Sequence, residues 1–504
     1  MSVVAIVACL IIIIILLKIF DNVKNKRTYE LLRQFPSLPT YPIIGNLYML
    51  CGSLNGVLKK ADKVMEHHDR LVFWLFSIPG VILKKHDDIV TILTQSQDRE
   101  TLGLSNEWIG FGLLNATYHE WKKSRKVLAP AFSSEMLAKY TIIFNERSSA
   151  LVNVFKQVAD TGQVIDVWDD LIKNNVHAVV ENVMGISITT CGEKGDKFGH
   201  AVYETFQNMI KRFIAPWLHP RLIYLAYLKI TGKSNIIKDL HYLPTKILRE
   251  KMAEYRRGSV QLGKNLEDFN NYFSKTVIHQ LIREGIKEPS FDETRMRDEL
   301  LHITGAAIET TALNVAFLML MLAINQDIQQ KVYEEITELL SDDDMLTPNH
   351  LFNHLKYLEQ CLKETSRMFT SVIGTIRRTH KDCVLKDNVI IPANTLVFSA
   401  IHWAHYDKEA FKNPYKWDPE HFNEQAEQNR SKSGLLSFGY GPRSCIGAKY
   451  AMLSMKTQMA YILRNFHLST NIKEFTYDDL YADVSIRSKI GYPIRFTSRT
   501  KLKQ

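Results

Sequence analysis

A chain of 504 residues with 46% hydrophobic content can bury a large core, and length alone would allow roughly two to four domains. Its formal charge of +9 asks for an anionic partner, but basic and aromatic residues are not interleaved and no nucleic-acid motif is present, which leaves an acidic protein or an anionic lipid surface. The six cysteines (Cys9, Cys51, Cys191, Cys361, Cys383 and Cys445) show no C-x-x-C pairing or regular spacing, which argues against a zinc site or a disulfide framework and for a reducing environment.

From Val3 to Leu17 the chain is an unbroken apolar run, extended by Lys18-Ile19-Phe20 with Lys18 able to snorkel. A helix of ~17 residues is enough to cross a bilayer that thins to meet it. Positive charge follows the run, at Lys18, Lys24, Lys26 and Arg27, and no small-residue cleavage site is present. Residues 1–20 therefore read as an uncleaved transmembrane anchor with the body of the protein on the cytosolic side. Residues 21–46 read as a basic and then proline-rich hinge, ending in Phe35-Pro36-Ser37-Leu38-Pro39-Thr40-Tyr41-Pro42, whose close prolines favour a stiff, extended segment. Pro and Gly are sparse thereafter and no repeat or linker interrupts the chain, so 47–504 reads as one large domain. Short strands are expected at Leu71 to Phe76, Gly80 to Leu83, Val389 to Phe398 and Ile490 to Phe496, between mainly helical stretches. The fold class is mainly α with minor β.

Four segments carry candidate chemistry. Trp121-Lys122-Lys123-Ser124-Arg125 places an indole donor and a guanidinium four apart on one helix face, although such a run is also compatible with a solvated basic helix. Ala306-Ala307-Ile308-Glu309-Thr310-Thr311 sits within a helical stretch from about Arg295 to Gln326. There small residues leave room against the helix and a mid-helix Thr competes for backbone carbonyls. Glu364-Thr365-Ser366-Arg367 puts an acid and a base on one face of a helix over Leu358 to Phe369, ahead of Asp418-Pro419-Glu420-His421-Phe422.

The fourth segment is Phe438-Gly439-Tyr440-Gly441-Pro442-Arg443-Ser444-Cys445-Ile446-Gly447, just before a helix expected over Ala448 to Arg464. A lone cysteine at a helix start is ordinarily a structural group. Here Gly441 and Gly447 permit tight turning and close approach to a flat ligand, the helix N-terminus favours a thiolate, Phe438 can cover the sulfur and Arg443 supplies a cation beside it. These parts suit a single sulfur ligand to iron with the opposite face left open.

The decapeptide closely resembles the haem-binding loop of the cytochrome P450 family, and the other three segments fall in the family's order. The resemblance implies a P450 fold over essentially the whole chain after the anchor, and haem b held non-covalently with Cys445 as axial ligand. It also implies propionate contacts from Trp121, Arg125, Arg443 and Arg377 (or Arg378), a structural Glu364–Arg367 pair joined by His421 where the family has arginine, and a distal Thr310 and Glu309 that deliver protons to dioxygen. The implied activity is a microsomal monooxygenase acting on a small lipophilic substrate and drawing electrons from NADPH-cytochrome P450 reductase, with cytochrome b5 as a second donor. The basic residues Lys122, Lys123, Lys126 and Lys449 would dock that donor. A haem-thiolate isomerase or dehydratase and a non-catalytic haem-binding protein are the other readings. Looser similarity at Gly112-Leu113-Leu114, Pro130-Ala131-Phe132-Ser133 and Arg212-Phe213-Ile214-Ala215-Pro216-Trp217-Leu218 points to the clan containing the fatty-acid ω-hydroxylases. Against that pattern, Ala306 stands where many members carry a glutamate able to esterify haem, Ala307 replaces a glycine and Thr370 a proline. By family position, Ser105 to Leu114, Phe206 to Trp217, Ala306 and Val372 to Ile376 would line the substrate pocket.

Overall fold

The computed structural model describes residues 12, 23, 25–41, 43–76, 78–99, 103–261, 275–341, 344–429, 434–482 and 485–499. The apolar run assigned to the anchor lies outside the described residues apart from Ile12. The proline-rich segment that follows it is seated along the first strand. Val72 N–H donates to Pro36 O at 2.8 Å, and Asn46 bridges Pro39 O and the Trp74 N–H at 2.8 Å each. Its backbone groups are thus satisfied by the sheet edge, and the segment forms part of the folded body.

The helices that build the site are α1 (Tyr118–Leu128), α2 (Trp168–Met184), α3 (Glu193–Ile214), α4 (Arg221–Ile230), α5 (Glu293–Ile324), α6 (Lys356–Met368) and α7 (Ala448–Asn465). At the centre is α5, 32 residues long and opened by an Asp292 side chain that accepts from Arg295 N–H at 2.8 Å. It is long and apolar enough to cross a membrane, but 83% of its apolar window is buried inside the protein. A helix that is apolar all round belongs in a core, and α2 and α7 pack along it there.

Eleven strands are described: β1 (Arg70–Leu75), β2 (Ile78–Leu83), β3 (Ile165–Asp166), β4 (Thr375–Arg378), β5 (Cys383–Val384), β6 (Ile390–Ile391), β7 (Leu396–Ser399), β8 (Phe466–Ser469), β9 (Leu480–Ala482), β10 (Ile486–Ser488) and β11 (Pro493–Ser498). The principal sheet runs β1-β2-β7-β4, with β2 and β7 parallel in the register Val81↔Val397 and the other pairs antiparallel. The strand expected over Val389 to Phe398 is two strands in different sheets. Pro392 and a left-handed Asn394 (φ 62°) break the run and turn the chain from β6 into β7. The last strand begins at Pro493, later than expected, because Gly491 (φ 70°) turns tightly against Asp166, where a Cβ would meet the carboxylate at 2.2 Å. Phe76 falls outside β1, in the turn to β2, with φ 58°.

Candidate functional site

The Cys445 loop folds on its own backbone before α7 begins. Gly439 N–H donates to Leu436 O, Ser444 N–H to Gly441 O and Cys445 N–H to Phe438 O, the last at 2.8 Å. Two glycines take left-handed conformations, Gly439 (φ 70°) and Gly441 (φ 72°), and a Cβ on Gly441 would press on Leu93 O at 2.8 Å. Gly447 differs from expectation: its φ is −92°, so it is not needed for a tight turn. It lies beside the sulfur, where an added Cβ would stand 3.9 Å from Cys445 Sγ and from Phe132.

The Cys445 side chain is accessible, yet protein packs densely around the sulfur. Burial pushes its thiol up; the Gly447 N–H, Arg125 and Arg99 pull it down without prevailing. Burial and the neighbouring cations thus oppose one another at the sulfur. Arg443 is not the cation acting on the sulfur. Its Nη2 donates to Ala116 O at 2.8 Å and its guanidinium lies 4.6 Å over the Trp121 ring.

Four arginines gather in the neighbourhood of this sulfur, Arg99 and Arg125 acting on it directly and Arg377 and Arg443 standing beside Arg99. Arg125 Nη1 donates to Ser444 O at 3.0 Å, Arg99 Nη1 to Leu114 O at 3.2 Å, and Arg377 Nη1 to Thr375 Oγ1 at 2.7 Å. Among the described residues none of the four forms an ion pair, and Arg99 Nε, Arg377 Nε, and Arg443 Nε and Nη1 are buried without any partner. Burial, reinforced by Arg99 and Arg443, holds Arg377 well below its ordinary range, and burial with Arg99 brings Arg443 down to about 9. Asp98 is the carboxylate that acts on Arg377 and Arg443, and it is already paired with His380, so these crowded buried guanidiniums call for a further anion. Of the two sequence candidates, Arg377 is the one that faces the cluster. Arg99 was not predicted: it joins through the fold, and nothing in its local sequence sets it apart. The two propionates of a haem fit these unmet donors, and the accessible Cys445 side chain lies near Arg99 and Arg125.

Helix α1 reaches this cluster with one face. Trp121, Ser124 and Leu128 are buried, Arg125 is half-buried, and Lys122, Lys123 and Lys126 are exposed, as is Lys449 at the start of α7.

Behind the loop stands the Glu364–Arg367 pair. Two guanidinium nitrogens of Arg367 donate to Glu364 at 2.8 Å, with both side chains wholly buried. Glu364 also accepts from Asp418 N–H at 2.8 Å, and His421 Nδ1 stands 3.1 Å from it. Burial opposes ionisation of Glu364, but the hydrogen bonds from Arg367 and His421 outweigh it and hold the carboxyl below its ordinary range. Arg367 then reaches the carbonyls of His405 (2.7 Å) and Pro414 (2.8 Å). His405 is a second residue that sequence reasoning missed. Its Nε2 accepts the Leu436 N–H at 2.9 Å and its Nδ1 bonds the Arg367 carbonyl at 3.0 Å, so a neutral ring links α6 to the base of the Cys445 loop. Thr370, which departs from the family's proline, donates to Arg367 O at 2.8 Å within the same knot.

On α5, residues 298–323 are buried except at three positions: Ala306, Ala307 and Thr310 are half-buried. Their spacing puts them on one face, which is where the helix opens on a cleft. The Thr310 hydroxyl donates to Ala306 O at 2.8 Å. Glu309 is held elsewhere, its Oε1 accepting from Arg487 at 2.7 Å and from Ser485 at 2.9 Å. Among the described residues no hydrogen bond joins Glu309 to Thr310, so the two predicted proton carriers are neighbours in sequence with separate partners.

Residues 36–480 match the Cytochrome P450 family. Among known proteins the chain is similar to cytochrome P450 4g15 of Drosophila melanogaster, 23% identical with 97% of this chain and 96% of that one covered. Cytochrome P450 4V2 of Homo sapiens is 25% identical, covering 89% of this chain and 86% of its own. Among solved structures, the haem domain of cytochrome P450DA matches with a TM-score of 0.74 at 18% identity, over 92% of this chain and 98% of that one.

Proposed function

The chain belongs to the cytochrome P450 family of haem-thiolate monooxygenases, and from that premise we propose that Cys445 is the axial ligand of its haem b in a membrane-bound enzyme that hydroxylates a lipophilic substrate. The observation that carries the site assignment is the set of buried arginine nitrogens without partners, on Arg99, Arg377 and Arg443, in the neighbourhood of the accessible Cys445 side chain. The net reaction takes an apolar C–H group, dioxygen, NADPH and one proton to the alcohol, water and NADP⁺. When bound, the haem supplies the iron centre at which dioxygen is activated.

The protein's own residues do the rest. Arg99, Arg125, Arg377 and Arg443 neutralise the propionates, and Trp121 holds Arg443 in place. The Glu364–Arg367–His421 knot, through His405, fixes the loop that presents the sulfur. Thr310, on the open face of α5, positions a proton donor toward the reacting oxygen, and Glu309 replenishes it. Two electrons come from outside the chain, since no dinucleotide fingerprint is present. The exposed lysines Lys122, Lys123, Lys126 and Lys449 offer a basic face to an acidic donor such as NADPH-cytochrome P450 reductase or cytochrome b5.

A location at the endoplasmic reticulum membrane, with the catalytic body cytosolic, is supported by the apolar N-terminal run and by exposed apolar residues on and beside α4. Leu222 and Ile230 are 83% and 84% exposed and Trp217 is 61% exposed, unusual for side chains facing water. The half-buried Ala306, Ala307 and Thr310 face is nearly apolar, which suits a lipophilic substrate.

The test is Cys445→Ser, purified with haem and examined as the reduced carbon monoxide complex. Loss of the thiolate signature with retained helical circular dichroism is expected. Retention of the signature would remove Cys445 as ligand and direct attention to Cys361 or Cys383, both buried thiols whose environments push them up.

A further inference from the structure

Asn314 is a polar residue in the most apolar part of the molecule. It follows Thr310 by one turn on α5, is 7% exposed, and its helix neighbours Leu313 and Val315 are wholly buried. A buried amide is costly unless all its hydrogen-bonding capacity is met. Here it is met in a particular way. Nδ2 donates to Thr310 O at 2.9 Å and to Ser371 Oγ at 3.0 Å, and Oδ1 accepts from Ser366 Oγ at 2.7 Å. Ser366 lies next to Arg367 on α6, and its carbonyl accepts from Ser437 Oγ at 2.7 Å, one residue before Phe438 in the cysteine loop. Ser371 stands in the connection from α6 to β4, the strand that carries Arg377.

Thr310 is thereby gripped at both ends. Its hydroxyl is engaged with Ala306 O and its carbonyl with the Asn314 amide. The amide is also the mid-point of a polar rod running from the open face of α5, through α6, to the loop bearing Cys445. An apolar residue of the same volume would fill the space equally well but leave the Thr310 carbonyl to the helix and to one long contact from Ser371 Oγ at 3.5 Å.

We propose that Asn314 is a positioning residue for oxygen activation: its amide holds the Thr310 peptide in register with α6 and the cysteine loop, so that the Thr310 hydroxyl meets the reacting oxygen at a fixed place. The proposal rests on Thr310 acting as the proton-positioning hydroxyl. A donor displaced by a fraction of an ångström delivers its proton less selectively, and dioxygen then leaves as hydrogen peroxide at the expense of product.

The test compares Asn314→Leu, Asn314→Asp, Ser366→Ala and Thr310→Ala with the parent holoenzyme, reconstituted with a reductase and a turnover substrate. Asn314→Leu keeps volume and removes every hydrogen bond. Asn314→Asp, when ionised, still accepts from Ser366 but cannot donate to Thr310 O. Ser366→Ala keeps that donation and breaks the link to α6. In both Asn314 variants product per NADPH is expected to fall about fivefold, the population factor of one typical hydrogen bond, with peroxide rising. NADPH consumption and the reduced carbon monoxide Soret band should be unchanged. Ser366→Ala should give a smaller fall, and the C–O stretching band of the carbonyl complex should broaden in both Asn314 variants as the distal hydroxyl loses its fixed place. An unchanged product ratio in Asn314→Leu, while Thr310→Ala uncouples, overturns the proposal alone. An unchanged ratio in Thr310→Ala overturns the reading of Thr310 and the proposal with it. Loss of the Soret band in both Asn314 variants would mark a purely structural role and also overturns it.

Discussion

The guanidinium of Arg443 lies over the indole of Trp121, 4.6 Å from the ring centroid, while its Nε and Nη1 remain without partners. The two residues are 322 positions apart and have no shared helix or strand; the ring fixes the cation in the place where a propionate would meet it. A desolvated contact of this kind is worth ~2 kcal/mol.

Removing the platform should therefore loosen haem. In Trp121→Ala, haem transfer to a scavenger protein is expected to quicken by tenfold or somewhat more, the equivalent of about 1.4–2 kcal/mol. Trp121→Phe, which keeps a ring, should lie between it and the parent. Equal rates in all three proteins would separate Trp121 from haem retention.

Glu364 predicts an acid limit. Its carboxyl is held below the ordinary 4.5 by hydrogen bonds from Arg367 and His421, so the stability it contributes is complete above that pH and is lost as pH falls through the lower folded value. Histidine here donates one hydrogen bond where a guanidinium would offer a fork. His421→Ala should move the acid midpoint of haem loss upward, and His421→Arg should move it downward. Circular dichroism and the Soret band, followed together from pH 6 to acid, check the order; coincident midpoints for all three would show that the knot does not set the limit.

With Ala306 on the open face of α5, no carboxylate stands there to esterify a haem methyl. Acid–organic extraction of denatured protein after turnover should release all of the haem. Ala306→Glu should leave a fraction attached after turnover. Haem retained by the parent protein would place an esterifying side chain elsewhere in the cleft.

What the sequence revealed is what is local. The cysteine loop, the Glu364–Arg367 pair and the small-residue stretch before Thr310 each fit within ten or so residues, so residue type and spacing were enough to place them. Arg99 and His405 were invisible because each acts only across the fold, Arg99 beside Arg377 and Arg443, and His405 between Arg367 O and Leu436 N–H. Gly439, and not Gly447, takes a left-handed turn, because a backbone dihedral depends on the hydrogen bonds of the folded loop, such as Gly439 N–H to Leu436 O, and not on the presence of glycine. The division of Val389 to Phe398 was written in Pro392 and Asn394, but an apolar run with high β-propensity concealed it.

The last prediction separates the two distal residues. Glu309 sits in a buried ion pair with Arg487, 10% and 8% exposed respectively, and Ser485 completes its coordination. Deleting the acid outright would strand a buried guanidinium at a cost of ~3–5 kcal/mol, so Glu309→Ala confuses stability with mechanism. Glu309→Gln keeps an oxygen to accept from Arg487 and Ser485 and removes the ionisable group, its negative charge included, at a smaller cost than full deletion. If Glu309 feeds the relay, that variant should slow turnover with product per NADPH nearly unchanged, because the oxygen is still correctly met when the proton arrives. Thr310→Ala should do the reverse: NADPH oxidation continues, peroxide rises and product falls, since the positioned hydroxyl is gone while the supply of protons remains. Arg487→Leu, which frees Glu309 from its clamp, should raise the rate of proton delivery if the ion pair restrains it and lower the thermal midpoint in any case. The solvent isotope effect on NADPH oxidation reads the first quantity, and product per NADPH reads the second. Identical behaviour of Glu309→Gln and Thr310→Ala in both measurements would mean that the pair acts as one unit despite its separate hydrogen bonds.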